Sequence, residues 1–265
     1  MTAPVPTAEF ASLVYGPPGV PPDDPAETFH EASCLYPGIA PGRLQSMVEL
    51  ARSPALQQTV GRASFTREQL PATALPPARL GRARLRDALA GRRSGQARVN
   101  APLPREALAS IVGAAYRSTK GRRPVPSGGA LYPLELYVVA LDVTHVETGV
   151  HHYNPYRHCL ERLGGAGRAD VAATLVDSEL AEHAAALIVV TAMFWRTRFK
   201  YGLRGYRFAL LETGHVVQNA VLAATALRVP ALPLGGFYDR PLDRLVGADS
   251  LDEASVYALL LGGRT

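Results

Sequence analysis

The chain has 265 residues, 47% of them hydrophobic, and a net charge of +5 carried mainly by arginine. That is enough for one large domain, or a core with an extension. No apolar run approaches the roughly 20 residues of a membrane span, Met1 to Phe10 has neither the basic nor the apolar region of a secretory signal, and the two cysteines, Cys34 and Cys159, make no disulfide framework. A reducing cytoplasm is the expected compartment, with no membrane partner.

Residues 1–80 are rich in proline, punctuated by Gly16-Pro-Pro-Gly19, Pro21-Pro22 and Pro76-Pro77. They read as an extension wrapped on the core or as a substrate-facing cap, with a short helix from Gly42 to Arg52. The core occupies 81–265. A helix end is expected at Leu85 to Ala90, closed by Gly91. Pro104 to Tyr116 is a helix with Leu108, Ile111, Val112 and Ala115 on one face. Leu134 to Leu141 is a buried strand, and Val150 to Leu163 a hairpin about Asn154-Pro155. Asp170 to His183 is expected as a helix and Ala186 to Phe194 as a second buried strand. Leu203 to Leu227 is a long helix. It is apolar all round past Gln218-Asn219, so the sheet or a second subunit should bury it. Ala231 to Tyr238 and Val256 to Leu261 complete the strands. Helices and strands mix without a βαβ rhythm, and no G-x-G-x-x-G follows a strand, which points to an α+β fold.

Several segments carry residues suited to chemistry. In Pro126-Ser127-Gly128-Gly129, ahead of Tyr132, small residues expose peptide N–H groups to a flat or anionic ligand. Gly235 and Gly236 offer a second such approach, or a simple turn. Lys200-Tyr201 follows a buried strand, where loops present catalytic groups, and a partly dry lysine serves as a base. Spacing alone favours the plainer reading, a solvated lysine beside a core-edge tyrosine. Arg92-Arg93-Ser94 suits a phosphate monoester or a bare basic loop, and Arg264 either reaches a phosphate or frays. His151, His152, His158 and Cys159 lie on a hairpin whose alternation separates His151 from His152, and no second cluster completes a metal site. His30-Glu31 and His215 stand alone. The arginine clusters at Arg79 to Arg98 and Lys120 to Arg123 suit an anionic cofactor or substrate, or a solvated face. Nothing of nucleic-acid-binding type accompanies them.

These segments, with Glu212-Thr-Gly-His-Val-Val-Gln218-Asn219, together resemble the SagB-type dehydrogenases, the azoline oxidases of the nitroreductase superfamily. The resemblance runs from about Arg84 to the C-terminus, and Phe29-His-Glu-Ala-Ser33 is similar to the family's N-terminal region. It implies a nitroreductase-like FMN-binding fold: a central, mostly antiparallel sheet flanked by helices, in an intertwined homodimer with flavin at the subunit interface. It implies that Arg92, Arg93 and Ser94 hold the phosphate, that Pro126, Ser127, Gly128, Gly129 and Tyr132 lie beside the ring, and that Gln218 is near it with Gly235 and Gly236 over it. Lys200 and Tyr201 match the pair that family members use for azoline oxidation. The sequence departs at Gln96, often arginine, which shifts the phosphate contact to Arg98 or Arg264. It departs again at Leu227-Arg228-Val229, usually Gly-Leu-Gly.

The implied reaction is oxidation of a thiazoline or oxazoline to a thiazole or oxazole in a peptide or carrier-protein-bound intermediate. Lys200 would be the base, Tyr201 would orient or relay, and dioxygen would reoxidise the flavin. A cyclodehydratase or synthetase partner follows from the same resemblance. The alternatives are an NAD(P)H-dependent nitro or quinone reductase and a non-catalytic flavin scaffold.

Overall fold

The computed structural model describes residues 24–36, 52–53, 55, 67, 69–95 and 101–263. The helix expected from Gly42 lies outside them as far as Ala51, as do Gln96, Arg98 and Arg264.

Among the described residues the helices are α1 (Pro25–Ala32), α2 (Leu85–Gly91), α3 (Arg105–Tyr116), α4 (Arg168–Ala172), α5 (Trp195–Tyr201), α6 (Arg204–Ala226) and α7 (Asp239–Val246). The strands are β1 (Ala72–Ala74), β2 (Leu134–Ala140), β3 (Gly149–Asn154), β4 (Cys159–Gly164), β5 (Ala184–Ala192), β6 (Ala231–Leu234) and β7 (Ala254–Gly262). They form one sheet in the order β1-β4-β3-β2-β5-β7-β6, each neighbouring pair antiparallel. The fold is therefore α+β with a central antiparallel sheet, as expected. The sheet draws its first strand from before Gly81.

Strand β2 is buried at every position. Leu134, Leu136, Val138 and Ala140 pack with α3 and α6, while Tyr137 and Val139 pack with Val171, Leu242 and Val246 of α4 and α7. Both faces are covered, so the strand reads as an apolar run interrupted only by Glu135. Pro233 sits on the edge strand β6, where a missing N–H costs no ladder bond. Helix α6 ends in a Schellman motif. Arg228 adopts φ 57°, and the Arg228 and Val229 amides donate to Thr225 and Ala224. No helix among the described residues is long and apolar enough to cross a membrane.

Three expectations are corrected. Asp170 to His183 is not one helix. Helix α4 stops at Ala172, the Thr174 hydroxyl bonds back to the Val171 carbonyl, and residues 174 and 176 exchange backbone bonds with 236 and 238. Tertiary pairing there overrides local helix preference. Ala231 to Tyr238 leaves the sheet after Leu234, and Phe237 pairs with Leu175 instead. Lys200 and Tyr201 end a helix, α5, rather than lying in a loop.

The hairpin histidines have separate partners. His151 meets the Glu147 carbonyl, and His158 meets the Tyr153 hydroxyl and the Pro76 carbonyl. His152 is fully buried between Glu161 and Glu135, with 3.0 Å to each. Arg196 Nη1 reaches Glu135 at 2.6 Å, and Asn154 donates to Glu161 at 2.7 Å. Burial opposes every charge in this row. The two carboxylates outweigh it at His152, whose pKa is raised, and His152 with Arg196 outweighs it at Glu135, whose pKa is lowered. Removing the central cation leaves two buried carboxylates facing each other. His152→Ala should therefore lower the unfolding free energy by about 3–5 kcal/mol. Urea unfolding at neutral pH measures it, and a loss below about 1 kcal/mol would contradict this account of the row.

Candidate active site

A glycine turn, a short helix and the start of a long one meet at one point. After the Pro126 and Ser127 positions, the Gly128–Ala130 turn takes the chain into β2, with Gly129 at φ 65°. Across from it, α5 lies on the first turn of α6. That approach requires glycine at 205, since a Cβ there would stand 2.7 Å from the Thr197 carbonyl carbon and 2.8 Å from the Arg198 nitrogen. The Thr197 hydroxyl donates to the Gly205 carbonyl at 2.9 Å and fixes the crossing.

This crossing delivers the last two residues of α5 onto the turn. A Cβ at Gly129 would lie 2.7 Å from the Tyr201 hydroxyl and 2.8 Å from Lys200 Nζ. The amine and the phenol therefore converge on bare backbone, and any side chain there would displace them. Lys200 Nζ stands 5.0 Å from the centre of the Tyr201 ring, which meets Phe208 edge-on at 4.9 Å. Phe208 also supports Gly128, where a Cβ would lie 3.0 Å from its ring. Helix α1 docks beside this group: Phe29 meets Tyr206 at 5.2 Å, and Arg204 and Arg207 donate to the Ser33 and His30 carbonyls.

Behind the turn lies a polar pocket that sequence reasoning passed over. Glu212 of α6 is 2% exposed and accepts from the Tyr116 hydroxyl at 2.8 Å. Burial raises its pKa to about 7, against the pull of Ser127, Tyr116 and Arg123. The Arg123 guanidinium is buried 4.0 Å from the Tyr116 ring centre and 4.7 Å from that of Tyr132. The available signal was an acid one helical turn past Phe208, on the face that also carries Val216.

The other site residues gather elsewhere. Gly91 lies beside Thr225 near the far end of α6, and the Gly95 amide meets the Ala231 carbonyl at the start of β6. Between them, Arg92 Nη1 donates to the Ser94 hydroxyl at 3.1 Å, and Arg93 caps the Ala90 and Arg92 carbonyls. A cleft of about 330 Å³ opens here, lined by Gly91, Arg93, Gly95 and Arg228 among others. Gly235 and Gly236 follow the end of the same strand, β6. Gln218 is exposed on α6 between the two groups. Phe208 and Thr225 are separated by about 25 Å along the helix axis. Within one chain the candidates thus form two separate groups: Arg92, Arg93 and Ser94 at one end of α6, with Gly235 and Gly236 at the other end of the strand β6 that meets them, and Gly128, Gly129, Lys200 and Tyr201 at the opposite end of α6.

Known proteins share this framework. The nitroreductase family profile matches residues 89–263. The nitroreductase-type protein MJ1384 of Methanocaldococcus jannaschii is 37% identical over 166 residues, spanning 62% of this chain and 84% of that protein. The microcin B17-processing protein McbC of Escherichia coli is 34% identical over 146 residues, and the chain spans 53% of its length. In the E. coli microcin synthetase McbBCD complex with truncated pro-MccB17 bound, one chain matches at 24% identity with a TM-score of 0.61, covering 85% of this chain and 94% of that one. That likeness speaks for the fold. The match of the family over most of the chain, on an antiparallel sheet with a long helix separating the two groups, makes this protein a member of the nitroreductase family.

Proposed function

We propose that the protein is an FMN-dependent dehydrogenase that oxidises azoline rings in a peptide intermediate to azoles. The observation that carries this reading is the convergence of the Lys200 amine and the Tyr201 hydroxyl over the side-chain-free backbone of Gly129. The sequence resemblance and the relation to McbC, a microcin B17-processing protein, support it.

The residues present fit a flavin mononucleotide. A flat ring needs backbone without side chains, which Gly128 with Gly129 and Gly235 with Gly236 supply. A phosphate needs forked donors, which Arg92, Arg93 and Ser94 supply beside the cationic cleft. The two groups lie farther apart than one such cofactor spans, so a second copy completes the site. Leu210, Leu211, Gly214, His215 and Gln218 leave one face of α6 open, apolar at its first positions. Two copies packed antiparallel on that face bring the phosphate anchor of one to the glycine turn of the other. Such a pair would be the homodimer that the resemblance implies.

When bound, the flavin supplies a two-electron acceptor for the hydride leaving the ring carbon. The Lys200 amine takes the proton from the neighbouring ring carbon, and the Tyr201 hydroxyl orients the ring or relays that proton. The turn excludes side chains from the contact plane. Helix α1, docked at Tyr206, borders the site and is suited to face an incoming peptide. From Met193 to Leu211 the chain has no acidic residue, and Arg198, Arg204, Arg207 and exposed Trp195 flank the pair. This rim suits an acidic peptide or carrier protein delivered by a cyclodehydratase or synthetase partner.

The relation to the M. jannaschii protein favours a second reading, an NAD(P)H-dependent nitro or quinone reductase. Rapid bleaching of the bound flavin by NADPH selects that reading. Bleaching by an azoline peptide, with none by NADPH, selects ours.

Lys200→Ala and Tyr201→Phe should each slow azoline oxidation by about 10²–10⁴-fold while leaving the visible flavin spectrum in place. Single-turnover reduction of the flavin reads this directly. Gly129→Ala should give a comparable loss by displacing both groups, with only about 1–2 kcal/mol of destabilisation from the left-handed backbone. Leu211→Glu should yield a monomer in sedimentation and release the flavin in the same preparation. A monomer that keeps its yellow colour would overturn the shared site.

A further inference from the structure

The proposed proton transfer does not use Glu212, yet the carboxyl is wired to the turn on which the transfer takes place. Tyr116 donates to Glu212 Oε1 at 2.8 Å, and the same phenol oxygen accepts the Leu134 amide at 3.3 Å. The Ser127 hydroxyl also favours the carboxylate form and accepts the Tyr132 amide at 2.9 Å. One carboxyl thus reaches both ends of the segment 127–134 through two hydroxyls. Its second oxygen, Oε2, is buried without a partner. Arg123 is the cation facing it, itself buried with Nη1 unpartnered, and Tyr116 and Ser127 are the other groups that set its charge. On its own helix, Phe208 lies one turn away and touches both Gly128 and Tyr201.

We propose that Glu212 is a positioning residue of the candidate site. Through Tyr116 and Ser127 it holds both ends of the 127–134 segment, so that Gly129 stays beneath the Lys200 amine and the Tyr201 hydroxyl while the carboxyl is protonated and yields when it ionises. The physical reason is desolvation. A buried carboxylate is relieved when the turn opens to water, so opening becomes easier as the charge forms. The sign follows from linkage. The folded group titrates at about 7, above its unfolded range near 4.3. The hold is complete below the unfolded value and weakens as pH rises towards the folded one, by up to about tenfold in the opening equilibrium per pH unit. The hold on the segment is a property of the chain alone. Its consequence for turnover rests on the function proposed above.

Amide hydrogen exchange of the 127–134 segment tests this in the full-length, flavin-free chain, from about pH 5 to about pH 8 with intrinsic rates removed. Wild type should lose protection as pH rises and level off above about 7. Glu212→Gln keeps the hydrogen-bonding shape without the titration, so its protection should be flat across that range. Tyr116→Phe removes a donor that favours the carboxylate and should move the wild-type break to higher pH, which keeps the test decisive even if Glu212→Gln does not fold. An unchanged pH dependence in Glu212→Gln, or an unmoved break in Tyr116→Phe, overturns the proposal. In the flavin-loaded enzyme the Gln variant should abolish the corresponding fall in kcat/KM, which runs from about pH 5 to about pH 7 and levels off beyond it. If exchange behaves as stated but no azoline is oxidised, the assigned reaction falls and the role of Glu212 in holding the turn stands.

Discussion

The candidate site exists because two backbones touch where side chains are absent. Gly205 lets α5 lie directly on α6, and Gly129 lets the residues at the end of α5 reach the turn before β2. Everything chemical follows from those contacts. The amine and the phenol are on a helix end, not a loop, so their spacing is set by helix geometry and by the Thr197–Gly205 hydrogen bond. A site held by rigid elements keeps its reacting groups within the narrow tolerance that proton and hydride transfer require.

Much of this was legible in the sequence, and the reasons differ by element. The apolar run of β2 and the facial pattern of α3 are strong periodic signals, and both are present. The Ser-Gly-Gly turn was legible because glycine is informative where backbone must be approached. Helix α4 was misread as longer because its composition suits a helix, while a loop at residues 236–238 claims its backbone bonds. Helix α7 had no sequence-based expectation; its Pro241 sits within the first turn, where proline is tolerated. Glu212 was hidden for another reason. An acid in a helix is ordinarily solvated, and only the packing of Tyr116 and Ser127 around it shows that it is inside.

The buried charges fall into two kinds that the sequence could not tell apart. The row Glu161–His152–Glu135–Arg196 alternates in sign, with each charge met by its neighbours. It spans β4, β3 and β2 and fixes their register by penalising any slip that would strand a carboxylate in the core. The pocket of Arg123, Tyr116 and Glu212 is not closed in this way, since an oxygen on Glu212 and a nitrogen on Arg123 remain unpartnered. Completed networks serve the fold. An incomplete one beside the candidate pair can change its charge, which groups it with the candidate site and not with the scaffold.

The same distinction bears on why one chain carries two separate groups. Helix α6 holds the glycine turn at its beginning and the arginine–serine anchor near its end, and the spacing is built into its length. No local rearrangement closes about 25 Å of rigid helix. Antiparallel pairing closes it at once and symmetrically, because reversing α6 against itself sets each beginning beside the other's end. The open stretch around Gly214 gives such a pairing room for close approach. In the proposed dimer the subunit contact would be part of the chemistry: weakening the pairing would separate the arginine–serine segment of one copy from the glycine turn of the other, so that binding and catalysis would be lost together.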